Sequence, residues 1–308
     1  ISDIFIQNFR PGTISKMGFS YDNPTDLNKR IIMVNVSAYG QYGPYSDRVG
    51  FDPIGQAISG MMMLTGFPGM PPITTANPVI DRITSLHATI GALAALHERH
   101  YSGLGQCVDV ALADTGYTMT EIQCSAFLGS GLDTPRKGNG KGTSNVYKTK
   151  DGWALVAAQS NNIWPRFCKV VGKTNWADDP RFATKALRDD NASAIEEELT
   201  EWFLNRTTAE AVTSIADEGI PCQAVNGIPA ASNDPHLHER ELLMEVPDPV
   251  AGAIHVSGEN IKLSRSTAIV GSAPTPGQHT REILASLLNY GDAEIDNLEA
   301  EGAIYTGM

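Results

Sequence analysis

Cysteine is scarce in this chain. Its 308 residues hold four, Cys107, Cys124, Cys168 and Cys222, widely spaced and without a CxxC pair. That excludes a disulfide scaffold and a thiolate zinc site, and it suits free thiols in a reducing compartment, so a cytoplasmic location is expected. Positive charge is also short, with 23 Lys and Arg against 35 Asp and Glu for a net charge of −12. A chain this acidic has no general attraction for nucleic acid or an anionic membrane, so neither is expected as a partner, and a phosphate-bearing ligand would need locally concentrated basic residues. No apolar run approaches a membrane span, and nothing at the start resembles a signal peptide. His97 with His100, and His236 with His238, lack Cys or acidic neighbours at ligand spacing, so no metal site is expected. Repeats and low-complexity tracts are missing too.

What remains is a globular composition, 42% hydrophobic and 19% charged, in a chain long enough for roughly two domains. The β-branched run RIIMVNVSAY, residues 30–39, predicts a buried strand, and SDIFIQN before it a second one. A helix-compatible segment and an NPTD turn lie between, which suggests parallel α/β packing. GQCVDVALADTGYTMTEIQCSAFL predicts a strand feeding a helix. The glycine-rich, basic stretch SGLDTPRKGNGKG follows, a mobile loop by composition. SNVYKTKDGWALVAAQ predicts a hairpin turning at Lys150-Asp151-Gly152. IWPRFCKVVG, AIEEELTEWFLNR and TAEAVTSIADEG predict helices, the last capped by Gly219. Another amphipathic helix starts near Thr280.

The segment NPVIDRITSLHATIGALAALHERH, residues 77–100, carries the main question. Ile83, Leu86, Ile90, Leu93 and Ala94 recur at helical spacing and form one apolar face. Asp81 falls in the first turn. By local pattern alone it is a helix cap, because a carboxylate there satisfies free backbone N–H groups and suits the helix dipole.

Four stretches in order change that reading. They are QNFRPGTISKMG, SAYGQYGPYSDRVGFDPIGQAISG, the Asp81 helix ending in ALHERHYSGLGQCVDVAL, and APTPGQHTREIL. Smaller pieces, DPRF, GIPCQAV and HERELLMEVPDPVAG, lie between. Each alone is unspecific, but the ordered set resembles the family III CoA-transferases, also called the CaiB/BaiF family, over essentially the whole chain.

The resemblance implies an α/β fold with a Rossmann-like large domain built from the N- and C-terminal parts and a smaller α+β domain inserted. Residues 1–130 would form the first part of the large domain, 131–145 a glycine-rich linker, 146–240 the small domain and 241–308 the return. It also implies an interlocked homodimer, and an α/β segment upstream of Ile1. Asp81 matches the family's covalent nucleophile, acting on an acyl-CoA and a carboxylic acid with no permanently bound cofactor. Asn8, Phe9, Arg10 and Lys16 match the CoA-binding region, and Gly138, Gly140 and Gly142 a loop that closes over the intermediate. As ordinary structure, the same residues would be a strand-to-helix turn, a solvated charge and a linker. The family's loop is often a tighter glycine run than one interrupted by Asn139 and Lys141.

Two alternatives share the resemblance. A 2-methylacyl-CoA racemase would carry a histidine in a GHD-type motif, where this chain has Gly50-Phe51-Asp52; phenylalanine exchanges no proton. A non-catalytic CoA-binding subunit of a heteromeric transferase would not need Asp81. Met61, Met62 and Met63, with Phe67, suit either an adaptable acyl pocket or, as apolar triplets more often do, the core.

Overall fold

The computed structural model describes residues 2–21, 28–267 and 269–307. The turn expected at Asn23–Asp26 lies outside them. The chain forms two compact units. One takes in the residues up to Lys150 together with Ala154–Gln223, the other Asp151–Trp153 and everything from Ala224 on.

In the first unit, β1 (Ile4–Gln7), β2 (Ile32–Ser37) and β3 (Cys107–Ala111) form a parallel sheet in that order, with Ile4 opposite Ile32 and Met33 opposite Cys107. The central strand β2 is covered on both faces, as its β-branched run demands. A short helix, α1 (Thr13–Lys16), follows β1. After β2 come α2 (Asp52–Ile58), α3 (Met61–Leu64) and the long α4 (Val79–Ser102). Strand β3 runs directly into α5 (Leu112–Ser130).

Helix α4 corrects one expectation. The face it buries is not the Leu/Ile stripe but Ile80, Thr84, Ala88, Ala92, Ala95 and Arg99. Ala88, Ala92 and Ala95 join Ile32 and Val34 in one cluster, and their small side chains let helix and sheet approach closely. Leu86, Ile90 and Leu93 stand 54%, 62% and 58% exposed. An 18-residue stretch of α4 reaches a mean hydropathy of 1.2, so the helix is long and apolar enough to cross a membrane by length and composition alone. Here its alanine face rests on the sheet of its own chain.

The Arg99 guanidinium fixes the direction of α4. It donates to the Arg30 carbonyl at 2.8 Å and pairs with the Asp3 carboxylate at 2.9 Å, both ahead of the strands β2 and β1. The C-terminal end of α4 therefore lies at the amino ends of the strands and its first turn at their carboxyl ends.

Further along this unit, β4 (Ser144–Lys148), β5 (Trp153–Ala157) and β6 (Cys222–Ala224) form a second sheet in that order. The helices α6 (Trp164–Val170), α7 (Ala192–Leu204) and α8 (Thr208–Ala216) accompany it. Its core is aromatic: Trp164 stacks on Trp176 at 5.9 Å, and Phe203 on Tyr147 at 4.8 Å. Helix α8 opens with the capping box of Thr207 and Glu210, and Gly219 follows in the left-handed conformation. All four cysteines are free thiols, and burial pushes Cys222 up to about 11.

In the second unit, β7 (Leu243–Asp248) and β8 (Gly252–Ser257) pair as an antiparallel hairpin. Helices α9 (Thr280–Leu288) and α10 (Asp292–Ala300) are joined by Arg281, which reaches Asp296 at 2.7 Å. His236 and His238 lie in an exposed single turn of helix, with His238 Nε2 against the Ser232 carbonyl. Among the described residues no group of three metal-ligating side chains occurs.

Candidate active site

Ligands of open parallel sheets gather outside the carboxyl ends of the strands. Asn8, Phe9 and Arg10 leave β1 at that edge, all exposed. The Phe9 amide donates to Gln7 Oε1 at 2.8 Å, while Gln7 Nε2 donates to Asn35 Oδ1 at 2.6 Å inside the sheet. Arg10 Nη2 donates to the Asp47 carbonyl at 2.7 Å. Five residues on, Asp52 reaches the first turn of α4. The segment 47–52 thus connects the Arg10 turn to Asp81. Arg48 lies over the Tyr45 ring at 3.8 Å on the same segment.

The capping reading of Asp81 is overturned here. Asp81 is the third residue of α4, and the cap comes from a different helix. The buried Asp52 carboxylate, at the start of α2, accepts from the Ile80 N–H at 2.6 Å and the Asp81 N–H at 3.1 Å. Gln56 Nε2 donates to the other Asp52 oxygen and to Thr75 Oγ1 at 3.0 Å, and Gln56 Oε1 accepts from the Thr75 N–H at 3.0 Å. Asp52 is therefore held before it holds α4.

The geometry requires close packing of small residues. A Cβ on Gly55 would stand 2.9 Å from Ile80 Cγ2 and 3.1 Å from the Leu112 carbonyl, and one on Gly116 only 2.6 Å from the Gly55 carbonyl. Thr84 and His87 on α4 meet Thr115 of α5 at 3.0 and 3.2 Å.

With the cap supplied elsewhere, the Asp81 carboxyl makes no hydrogen bond among the described residues and is exposed. The positive end of α4 favours its anion. Partial burial, and after it the negative charge of Asp52, raise its pKa above the ordinary 3.8. The result is an unshared carboxylate at the carboxyl edge of the sheet, on a helix end fixed by a buried network.

The remaining expected positions are less gathered. Lys16 ends α1 and is exposed; its backbone N–H donates to the Gly12 carbonyl at 3.1 Å, while its ammonium makes no hydrogen bond to the Arg10 turn among the described residues. Gly138, Gly140 and Gly142 all adopt left-handed backbone, at φ 61°, 101° and 56°. Their stretch is tied down: Gly138 N–H donates to the Gly66 carbonyl at 3.1 Å, and Gly142 N–H to Glu196 Oε1 at 2.6 Å. A Cβ at Gly140 would stand 2.3 Å from the Ser144 carbonyl. No described hydrogen bond joins this loop to the Asp81 end. The methionine triplet is not core, since α3 has no buried residue.

Residues 1–280 match the model of CoA-transferase family III. The chain belongs to CoA-transferase family III. It is similar to succinyl-CoA–D-citramalate CoA-transferase of Chloroflexus aurantiacus, 33% identical over 98% of this chain and 76% of that protein. Formyl-CoA:oxalate CoA-transferase of Rhodopseudomonas palustris is 28% identical over 98% of this chain and 77% of its own. Among solved structures, a CaiB/BaiF family protein of Brucella suis superposes with a TM-score of 0.79 at 27% identity, covering 93% of this chain and 75% of that one. The mixed α/β fold of this chain is thus the fold of family III.

Asp52 is the site residue that sequence reasoning missed. Its signal was present: an acidic residue followed by proline, in GFDPIGQ, is a helix start, and Gln56 lies one turn on. Its neighbour Phe51 is 77% exposed.

Proposed function

We propose that this family III CoA-transferase moves CoA from an acyl-CoA thioester to a carboxylic acid, with Asp81 as covalent nucleophile. The observation that carries the reading is the free Asp81 carboxyl, released from capping by Asp52 on a rigid helix end.

The Asp81 carboxylate attacks the thioester carbonyl; the C–S bond breaks, leaving a mixed aspartyl anhydride and CoA thiolate. The thiolate attacks the aspartyl carbonyl, forming an aspartyl-CoA thioester and releasing the donor acid as its carboxylate. The acceptor carboxylate then attacks that thioester, giving a second anhydride and CoA thiolate. Attack of the thiolate on the acceptor's acyl carbon frees the new acyl-CoA and regenerates Asp81. Protons balance without a general base, because each nucleophile enters and each leaving group departs as an anion. The raised pKa of Asp81 makes it a better nucleophile than an ordinary carboxylate, once ionised.

In this reading Asn8, Phe9, Arg10 and Lys16 contact CoA, the bound substrate rather than a resident cofactor. Gly138, Gly140 and Gly142 cover the anhydride against water. Residues 1–130 and 241–308 form the large Rossmann-like domain, 131–145 the linker and 146–240 the small α+β domain, in an interlocked cytoplasmic homodimer. The exposed Leu86, Ile90 and Leu93 stripe supports an association of copies, since contiguous apolar surface marks an interface.

The test mixes the protein with succinyl-CoA or formyl-CoA, the donors in its relatives' names, and a panel of carboxylic acids, and follows new acyl-CoA by chromatography. Transfer to at least one acid, abolished in Asp81→Ala with an unchanged circular dichroism spectrum, is expected. Transfer that survives Asp81→Ala overturns the covalent role. Deuterium entering the α position of 2-methylacyl-CoA from heavy water at the rate of turnover would establish a racemase instead.

A further inference from the structure

A cavity of about 760 Å³ opens between α3, the turn that follows it, α5 and the segment Asp133–Arg136. Small-molecule pockets span about 300–1,000 Å³. Met63, Leu64, Met70, Tyr117, Phe127 and Leu128 make its walls apolar, and unbranched methionines adapt to irregular ligands. Its polar lining is Ser59, Tyr117, Thr120, Asp133 and Thr134, together with two nitrogen donors, Gln123 and Arg136. Gln123 is half-buried, and its amide has no hydrogen-bond partner among the described residues. Arg136 donates through Nε to the Met63 carbonyl at 3.0 Å, and through Nη1 to the carbonyls of Phe67, Met70 and Pro71. Its Nη2 has no partner among the described residues, and none of their carboxylates forms an ion pair with it. The charge is fixed in place but not neutralised.

We propose that this cavity binds an amphipathic monocarboxylate, its medium-length aliphatic chain between the methionines and its carboxylate on Arg136 Nη2 and the Gln123 amide. A charged donor facing a carboxylate gives the stronger, shorter kind of hydrogen bond. The apolar walls, with the Asp133 carboxylate beside them, disfavour a second negative charge, so a dicarboxylate of the same length binds less well. The site stands apart from Asp81. Asp52, at one end of α2, holds the Asp81 turn, while Ser59 and Gly60, just beyond its other end, line the cavity; a helix of seven residues spans about 10 Å. The proposal therefore does not rest on the transfer reading. A ligand that braces residues 63–70 would also brace the start of the glycine-rich loop, because Gly138 hydrogen-bonds the Gly66 carbonyl.

Titration calorimetry of the full chain with octanoate, octanol and suberate tests this. Octanoate binding at least tenfold tighter than either of the others is expected. Met63→Trp, which fills the cavity, should weaken octanoate at least tenfold. Gln123→Leu should weaken octanoate several-fold and leave octanol unchanged, and it keeps the test open if the bulkier variant fails to fold. Failure of octanoate to bind overturns the proposal, as does octanol binding equally well or octanoate binding indifferent to both substitutions.

Discussion

Around β4–β6, large aromatic side chains fill the interior, and Phe167, Phe182 and Phe203 are wholly buried. Around β1–β3 the buried cluster is Ile32, Val34 and three alanines, while Leu86, Ile90 and Leu93 of the same layer face outward. The first region completes its core within one chain; the second buries its small residues and leaves its large ones over. The free carboxyl of Asp81 and the exposed CoA candidates belong to that second region. The chemistry proposed for Asp81 sits where burial is incomplete, on elements fixed from beneath by polar networks such as Asp52–Gln56–Thr75 and Arg99–Asp3.

The contrast is broken most severely from the aromatic side. Phe203→Ala should cost about 3–5 kcal/mol, because it removes a buried ring stacked on Tyr147 and an edge contact to Trp202. Chemical denaturation measures it. A loss below 1 kcal/mol would mean that this core is not self-sufficient.

Gly140→Ala probes the loop between the two regions. It forces a side chain into φ 101° against the Ser144 carbonyl, at a cost of about 1–3 kcal/mol. The same measurement shows whether the loop is as firmly tied down as its hydrogen bonds indicate.

On the exposed side the expected effect is on association rather than folding. Ile90→Lys should change the stability of the isolated chain by less than about 0.5 kcal/mol, as exposed positions do. It should at the same time shift sedimentation toward monomer. Unchanged sedimentation would free the Leu86, Ile90 and Leu93 stripe from any role in pairing.

The smallest effect concerns pH. A carboxyl whose pKa is raised in the folded state holds its proton longer there than in the unfolded chain. Its ionisation therefore weakens folding as pH rises through that window. Asp81→Asn removes the weakening, so at neutral pH the variant should melt slightly higher than wild type. That advantage should shrink as pH falls and vanish below the ordinary value of 3.8. Thermal melts at a series of pH values would show it, and a variant melting lower at neutral pH would contradict the raised pKa of Asp81 beside Asp52.

Much of this was legible in the residues. Parallel packing of SDIFIQN with RIIMVNVSAY, the strand-to-helix passage at Ala111 and the left-handed Gly219 after α8 followed from β-branching, periodicity and cap chemistry, all local signals. The buried face of α4 was not legible that way. Periodicity weighs leucine above alanine, whereas close approach of helix to sheet selects the smaller residue. Asp52 escaped for a related reason: a cap normally comes from the helix it caps, and this one arrives from 29 residues upstream of Asp81. Of the apolar cavity only one wall was legible, Met63 of the methionine triplet, because the other comes from a stretch of chain that no periodicity links to it.

The most direct measurement is a covalent trap. The full chain is incubated with an acyl-CoA that it turns over, treated with hydroxylamine or borohydride, digested and mapped by mass spectrometry. Asp81 should emerge as the modified residue, as its hydroxamate or as the reduced alcohol, with Asp52 and Asp114 untouched. An unmodified Asp81 in a protein that continues to turn over would contradict the account.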